Sequence, residues 1–208
     1  MDTAPQPLPD TIRTRLADGS PVCIRRIRPA DEALMRAGIE RLSPRSRYLR
    51  FFSGGKLPPD WVIDRLLDVD GHRHLAWGAL DCGGAGEAEE PVEGEAIGAV
   101  HAFRTEAEPD CAEFSVAVLD AWHGRGLGRL LTATILCEAH AQGIRAFHVD
   151  TLTENTEAIE FVTSLGARGS GHDGATRSFR LDVDGALAIL RRACDPPGLR
   201  AIFGEECG

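Results

Sequence analysis

Residues 116–131 read VAVLDAWHGRGLGRLL. Val116 and Val118, set either side of Ala117, have the alternation of a strand. Leu127, Leu130, Leu131 and Ile135 repeat at helical spacing through LGRLLTATILCEAHAQG, residues 127–143. Between strand and helix stand glycines at 124, 126 and 128. Without Cβ atoms they let the chain turn sharply and let a ligand approach the backbone. The first amides of a helix have no acceptor of their own. The turn therefore presents N–H groups at the positive end of a helix dipole, a suitable seat for a pyrophosphate. Arg125 and Arg129 add charge. A ligand-free strand–helix turn would need similar glycines, so the loop alone leaves that alternative open. Two other phosphate loops do not fit. A dinucleotide G-x-G-x-x-G requires glycine at 129 or 131, where Arg129 and Leu131 stand, and the single lysine, Lys56, lies in no G-x-x-x-x-G-K-[ST] frame.

Moving outward, AEFSVAV (112–118) extends the strand backwards and AFHVDTL (146–152) is the next one. Asn155 caps a helix in which Ala158, Phe161, Val162 and Leu165 share a face, and Gly166 ends it. SFRLDV (178–183) is a last strand, followed by one helix, ALAILRRA (186–193), a Pro-Pro break and a tail. Upstream, Asp18-Gly19 separates two extended runs in TIRTRLADGSPVCIRRI (11–27) and predicts a hairpin. Asp31 is placed to cap a helix carrying Leu34, Met35, Ile39 and Leu42, and Pro58-Pro59-Asp60 begins a second with Trp61, Ile63, Leu66 and Leu67. HLAWGALD (74–81) and EAIGAVHAF (95–103) are strands joined by the Gly- and Glu-rich CGGAGEAEEPVEGE (82–95), which reads as a solvated, mobile loop. The order is strands, two helices, a hairpin, then β-α-β-α-β, a mixed α/β sheet.

At 208 residues the chain has room for one core, and no stretch approaches a membrane span. The start, MDTAPQPLPD, has neither a basic nor an apolar leader region, so a cytoplasmic location is expected, with residues 1–12 as a flexible tail. The net charge of −9 argues against a nucleic-acid partner and suits a cationic one, although acidity also serves solubility. The six cysteines form no C-x-x-C pair and read as scattered reduced thiols. His72 and His74 lack a third ligand nearby, so no metal site is expected; His101, His140 and His148 read as packing or surface residues.

The stretch 116–131 resembles the acetyl-CoA motif of the GNAT superfamily, a Gln/Arg-x-x-Gly-x-Gly/Ala turn after a strand of alternating valines. N-x-x-A-x-x-F-V-x-x-L-G-A, from Asn155 to Ala167, resembles that family's next helix. The likeness covers roughly residues 20–183 and implies a catalytic domain at 13–183 followed by a helix and tail at 184–208. It implies a mixed central sheet flanked by helices, with splayed strands forming an acetyl-CoA cleft. It further implies that the backbone of Val116, Ala117 and Val118 pairs with the pantetheine arm of acetyl-CoA. On the same ground Gly124, Arg125, Gly126, Leu127, Gly128 and Arg129 hold the pyrophosphate. Asn155 contacts the cosubstrate or serves as a plain N-cap. Two positions depart from the family pattern. His123 stands where Gln or Arg is usual, and Val162 where a tyrosine often acts as acid toward the CoA thiolate; the single tyrosine, Tyr48, is far away in sequence. With a thiol pKa of about 8.5, the thiolate leaves readily without that acid.

Acetyl transfer to an amine needs a neutral nitrogen, hence a base. Glu113 is the candidate, alternating onto one face with Ser115 and Ala117 while Phe114, Val116 and Val118 take the other. It matches the glutamate base of bacterial protein-lysine acetyltransferases in this superfamily; Asp150 is the second choice. IRRIRPAD (24–31) and LSPRSRYLRFF (42–52) resemble that branch too, with Arg47, Tyr48, Arg50, Phe51 and Phe52 read as a helix–loop against the sheet whose substrate role stays open. The expected acceptor is a protein lysine, an expectation also drawn from the acidic loop with Glu87, Glu89, Glu90, Glu93 and Glu95. Alternatives are a small-molecule amine and a non-catalytic acyl-CoA sensor. The oligomeric state, a homodimer included, stays open.

Overall fold

Local pairing builds the first half of the sheet. In the computed structural model, which describes residues 8–52, 55–83 and 94–207, β1 (Thr11–Arg15) and β2 (Pro21–Arg26) form the hairpin around Asp18-Gly19. β3 (His74–Asp81), β4 (Ala96–Arg104) and β5 (Cys111–Val118) follow as antiparallel neighbours. β6 (Ala146–Leu152) lies parallel to β5, and β8 (Thr176–Asp182) pairs with both β6 and β7 (Arg168–Asp173), giving the order β1-β2-β3-β4-β5-β6-β8-β7. The parallel β5–β6 step requires a crossover, and α4 (Leu127–Ala141) supplies it.

Helix α4 is apolar nearly all round, as suits an element covered on both sides. It packs on β3, β4 and β5 and is covered by α6 (Val183–Ala193); Leu127, Leu130, Leu131, Ile135 and Leu136 are fully buried. The opposite face of the sheet carries α1 (Glu32–Arg41), α2 (Pro44–Phe51) and α3 (Asp60–Leu67), with Ile39, Ile63 and Leu67 packed on Ile27 and Ala76. Helix α5 (Thr156–Ser164) lies beside α4, and α7 (Arg200–Phe203) packs against β1.

Several expectations need correction. Cys23 and Cys82 are joined, as are Cys194 and Cys207, with Cα atoms 6.0 and 5.3 Å apart; Cys111 and Cys137 are free. The β2–β3 register sets Cys23 opposite Leu80, two residues from Cys82, a proximity that spacing along the chain does not reveal. β1 begins at Thr11 with Ile12 buried, inside the stretch expected to be a tail. In the C-terminal tail, Leu199, Phe203 and Cys207 are buried in the main core. Asp31 makes no side-chain cap to α1; it pairs with Arg25 at 2.7 Å and accepts from the Arg28 amide instead. The region before the first β3–β4 hairpin holds three helices, not two, and β7 is an additional strand. The acidic run Glu87, Glu89, Glu90 and Glu93 lies outside the described residues, while Glu95 pairs with Arg41 at 2.6 Å.

Candidate active site

β5 and β6 are in register only at Cys111–Ala146, Ala112–Phe147 and Glu113–His148. Past Glu113 they separate, while β5 stays paired to β4 as far as Val118. The Leu119 amide donates to Ile97 O, on the β4 side. Period-2 alternation therefore turns the N–H groups of Val116 and Val118 towards the gap. The gap is a cleft of about 940 Å³. An extended ligand with amide groups can pair with that free edge as a further strand would.

The glycine loop closes one end. A residue at 126 has φ +88°, and a Cβ there would sit 2.6 Å from Pro196 Cγ, so only glycine fits on both counts. Gly124 also has positive φ, at +69°. Gly128 differs: a Cβ there would meet nothing closer than the Phe161 ring at 3.8 Å. The first α4 amide with a backbone acceptor is that of Leu130, bonded to Gly126 O at 3.1 Å. The preceding amides of α4 are free to hold an anion. Arg129 reaches Asp195 O at 3.2 Å, and Asp195 and Pro196 line the cleft with it. His123 bonds Val118 O through Nε2 at 2.9 Å and so ties the loop to the strand end.

Of the residues singled out from sequence, Val116, Ala117, Val118, Gly124, Gly126, Leu127, Gly128, Arg129 and Asn155 line this cleft together with Glu113 and Asp150. Arg125 does not. Its guanidinium turns out to Asp18, 3.2 Å away, and stacks on Trp122. Asn155 Oδ1 accepts from the Ala158 amide at 3.2 Å, the N-cap bond, while the residue also borders the cleft. Val162 lines it where a tyrosine was noted as absent, and Tyr48 lies outside it although its neighbours Leu49 to Phe52 lie inside.

Glu113 is exposed on the face that looks towards α2 and α3, with Phe103 of β4 and His148 of β6 as its register partners. No hydrogen bond or ion pair among the described residues engages its carboxylate. Asp150, two residues beyond His148 on the same face, accepts from Ser178 Oγ at 2.6 Å. The wall opposite Glu113 is made by Arg50, Phe51 and Phe52 from α2 and its C-cap, and by Trp61 and Arg65 of α3. Trp61 and Phe52 are among the most exposed large apolar side chains of the protein.

Sequence reasoning missed His148, read as a surface or packing residue; only the parallel register brings it beside Glu113. His148, Glu108 and Cys111 could in principle face a metal ion, but Arg180 already bonds Glu108 at 3.1 Å and Cys111 at 3.2 Å. His74 stacks on Phe103 and bonds His101 at 3.0 Å. Burial pushes both of those imidazoles below their ordinary pKa.

Comparison with known proteins adds four findings. The family model described as Acetyltransferase (GNAT) family matches residues 60–167. An acetyltransferase of Pseudomonas aeruginosa is 28% identical over 154 residues, which is 74% of this chain and 78% of the relative. Among solved structures, the GNAT domain of S. lividans PAT superposes with a TM-score of 0.74 at 24% identity, covering 85% of this chain and 99% of that one. A spermidine N-acetyltransferase from Vibrio cholerae, solved with CoA and spermine, superposes with a TM-score of 0.60 at 14% identity, covering 80% and 98%.

Proposed function

The chain belongs to the GNAT acetyltransferase family and transfers an acyl group from acyl-CoA to an amine, and within that activity we propose that the acyl group is acetyl, the acceptor is a protein lysine and the base is Glu113. The observation that carries this reading is the arrangement along β5. Free strand edge, glycine loop and an unpaired carboxylate stand on one strand–turn–helix unit. In the proposed complex the edge at Val116 to Val118 holds the pantetheine arm, and the loop from Gly124 to Arg129 holds the pyrophosphate. Arg125 contributes its backbone there, since its side chain is engaged elsewhere. Acetyl-CoA supplies the activated thioester.

A lysine amine, with an ordinary pKa of about 10.4, must lose a proton before it attacks. Glu113 accepts that proton, directly or through a water. A C–N bond forms, the C–S bond breaks and the thiolate leaves with that bond's electron pair; the attacking nitrogen gives up its second proton as the amide forms, and that proton ends on the thiolate as the CoA thiol. The Val118 amide donates to the thioester oxygen as negative charge develops on it. Positioning of the two reactants in one cleft supplies much of the remaining acceleration.

Two stretches, 24–31 and 42–52, support a protein acceptor through their likeness to the protein-modifying branch, and the exposed Trp61 and Phe52 at the cleft wall suit a macromolecular partner. A small amine is the second reading, favoured by the fold shared with the V. cholerae spermidine enzyme. Incubating the protein with labelled acetyl-CoA and host lysate separates the two. Label on protein lysines is expected; label only on polyamines, amino acids or aminoglycosides would overturn the choice.

A further inference from the structure

Arg50 is a cation at the reaction centre that has no counter-ion among the described residues. It stands on the last turn of α2, half-buried, and lines the cleft. Its Nη2 donates to Ser115 Oγ at 2.8 Å, and its guanidinium lies 5.0 Å from the Phe51 ring centre. No carboxylate among the described residues pairs with it. Among those residues the partly buried Arg25 has an acidic partner, and Arg47, which has none, is held by two backbone carbonyls, whereas Arg50 has the single Ser115 hydroxyl. Arginine holds its proton throughout: burial pushes Arg50 down only to about 10, well above neutral pH. In a chain with 32 acidic and 23 basic residues, a partner was available in principle.

Its place makes the missing partner informative. Ser115 sits on β5 between Glu113 and Ala117, on the same face as both. Arg50 thus reaches the stretch of strand where amine and acyl group meet. It also borders a second, largely apolar cavity of about 90 Å³, which shares Leu42, Phe51, Leu66, Ala117 and Val118 with the cleft. Nearer the rim, Arg65 lies over the Phe103 ring at 4.8 Å and likewise lines the cleft. Desolvating a cation without a partner is costly, whereas a guanidinium offers a carboxylate a two-pronged, charge-assisted contact.

We propose that Arg50 is the docking point for a carboxylate carried by one of the two reactants. It rests on the acyl-transfer reading of the cleft and adds a recognition element to it. Two sources fit the same chemistry. The carboxylate is the far end of a dicarboxylic acyl group on CoA, reaching past Ala117, or it belongs to the acceptor, as an α-carboxylate or as an acidic side chain next to the target lysine.

Matched pairs that differ in one charge distinguish them. The donor arm compares succinyl-CoA with butyryl-CoA on a lysine peptide that has no acidic neighbour. The acceptor arm uses acetyl-CoA and compares peptides with aspartate or asparagine beside the lysine, and a free amino acid with its amide. Release of CoA thiol gives kcat/KM for each. One arm is expected to favour the carboxylate member roughly tenfold or more, the size of a charge-assisted hydrogen bond. Arg50→Gln should collapse that ratio towards one, and Arg50→Lys should keep part of it. Melting curves and acyl-CoA binding of each variant report whether it folds. Absence of a charge preference in every wild-type pair would overturn the proposal without touching the catalytic reading, as would a preference that survives in Arg50→Gln. Failure to turn over any acceptor, with acyl-CoA still bound, would overturn the catalytic reading and this inference with it.

Discussion

Glu113 has two properties that a proton acceptor needs. It is solvent-accessible, so it can pass a proton on, and no partner among the described residues would have to be displaced. Glu113→Gln should therefore lower turnover by a factor of about 10² to 10⁴, the usual size of general-base catalysis, while acetyl-CoA affinity barely changes. Steady-state rates with calorimetric binding check this; near wild-type turnover would pass the role to Asp150 or to solvent. The cleft residues from Val116 to Arg129 were legible because a strand, a glycine turn and a helix start are all local signals. Arg125 was legible only as a charge. Its direction is set by Asp18, more than a hundred residues earlier, and by Trp122. His148 read only as a packing or surface residue and Arg50 only as part of a helix–loop with an open substrate role, since each is brought to the site by contacts between distant parts of the chain. The three glycines looked equivalent in sequence. Pro196 separates them, because it crowds Gly126 and leaves Gly128 open.

Most of the sheet and the two long helices follow from period and caps, and α2 shows why one helix did not. LSPRSRYLRFF has too few apolar residues for a clear stripe, and none of its helical residues is fully buried. What holds α2 is its start. Ser43 caps it by accepting from the Ser46 amide, and Asp120, in the turn after β5, accepts from the Ser43 amide at 3.0 Å and from both serine hydroxyls at 2.8 and 2.7 Å. Burial alone would raise the Asp120 pKa, but these donors outweigh it and hold the carboxyl at about 2. Asp70 is held at about 2 as well, chiefly by the His74 amide and also by those of His72 and Arg73. A depressed folded-state pKa contributes stability that is fully present above the unfolded value, near 3.8, and is lost as pH falls through the folded one. Melting temperatures should drop between about pH 4 and pH 2, and Asp120→Asn should show a smaller drop across that window than wild type. Helix α4 carries the other hidden element. Glu138 is 6% exposed and bonded by both Arg26 and the Trp77 indole N–H. Removing it leaves the indole donor unpaired and Arg26 without its partner. Because Arg26 can still reach solvent, the unpaired indole sets the scale, and Glu138→Ala should cost about 1–3 kcal/mol, read from denaturant unfolding.

Across the whole molecule, the C-terminal segment is part of the site's frame. Thr14 of β1 bonds Gly198 O at 2.9 Å, Leu199 is fully buried, and Asp195 and Pro196 are set against the glycine loop. Sequence alone could not place this segment, because beyond the helix its Pro-Pro break and few apolar residues give no period and read only as a tail. Net charge is likewise a poor guide to local field. A chain of −9 nonetheless presents Arg50, Arg65 and Arg129 to its cleft alongside Glu113, Asp150 and Glu157. No helix among the described residues is long and apolar enough to cross a membrane. The central claim is that acyl-CoA lies between β5 and β6, strung from the free strand edge to the glycine loop. Amide hydrogen exchange with and without acetyl-CoA tests it over the entire chain at once. The strongest protection should fall on peptides covering residues 116–118 and 124–129. Binding with no slowing of exchange at those residues, or with protection concentrated elsewhere on the protein, would contradict the account.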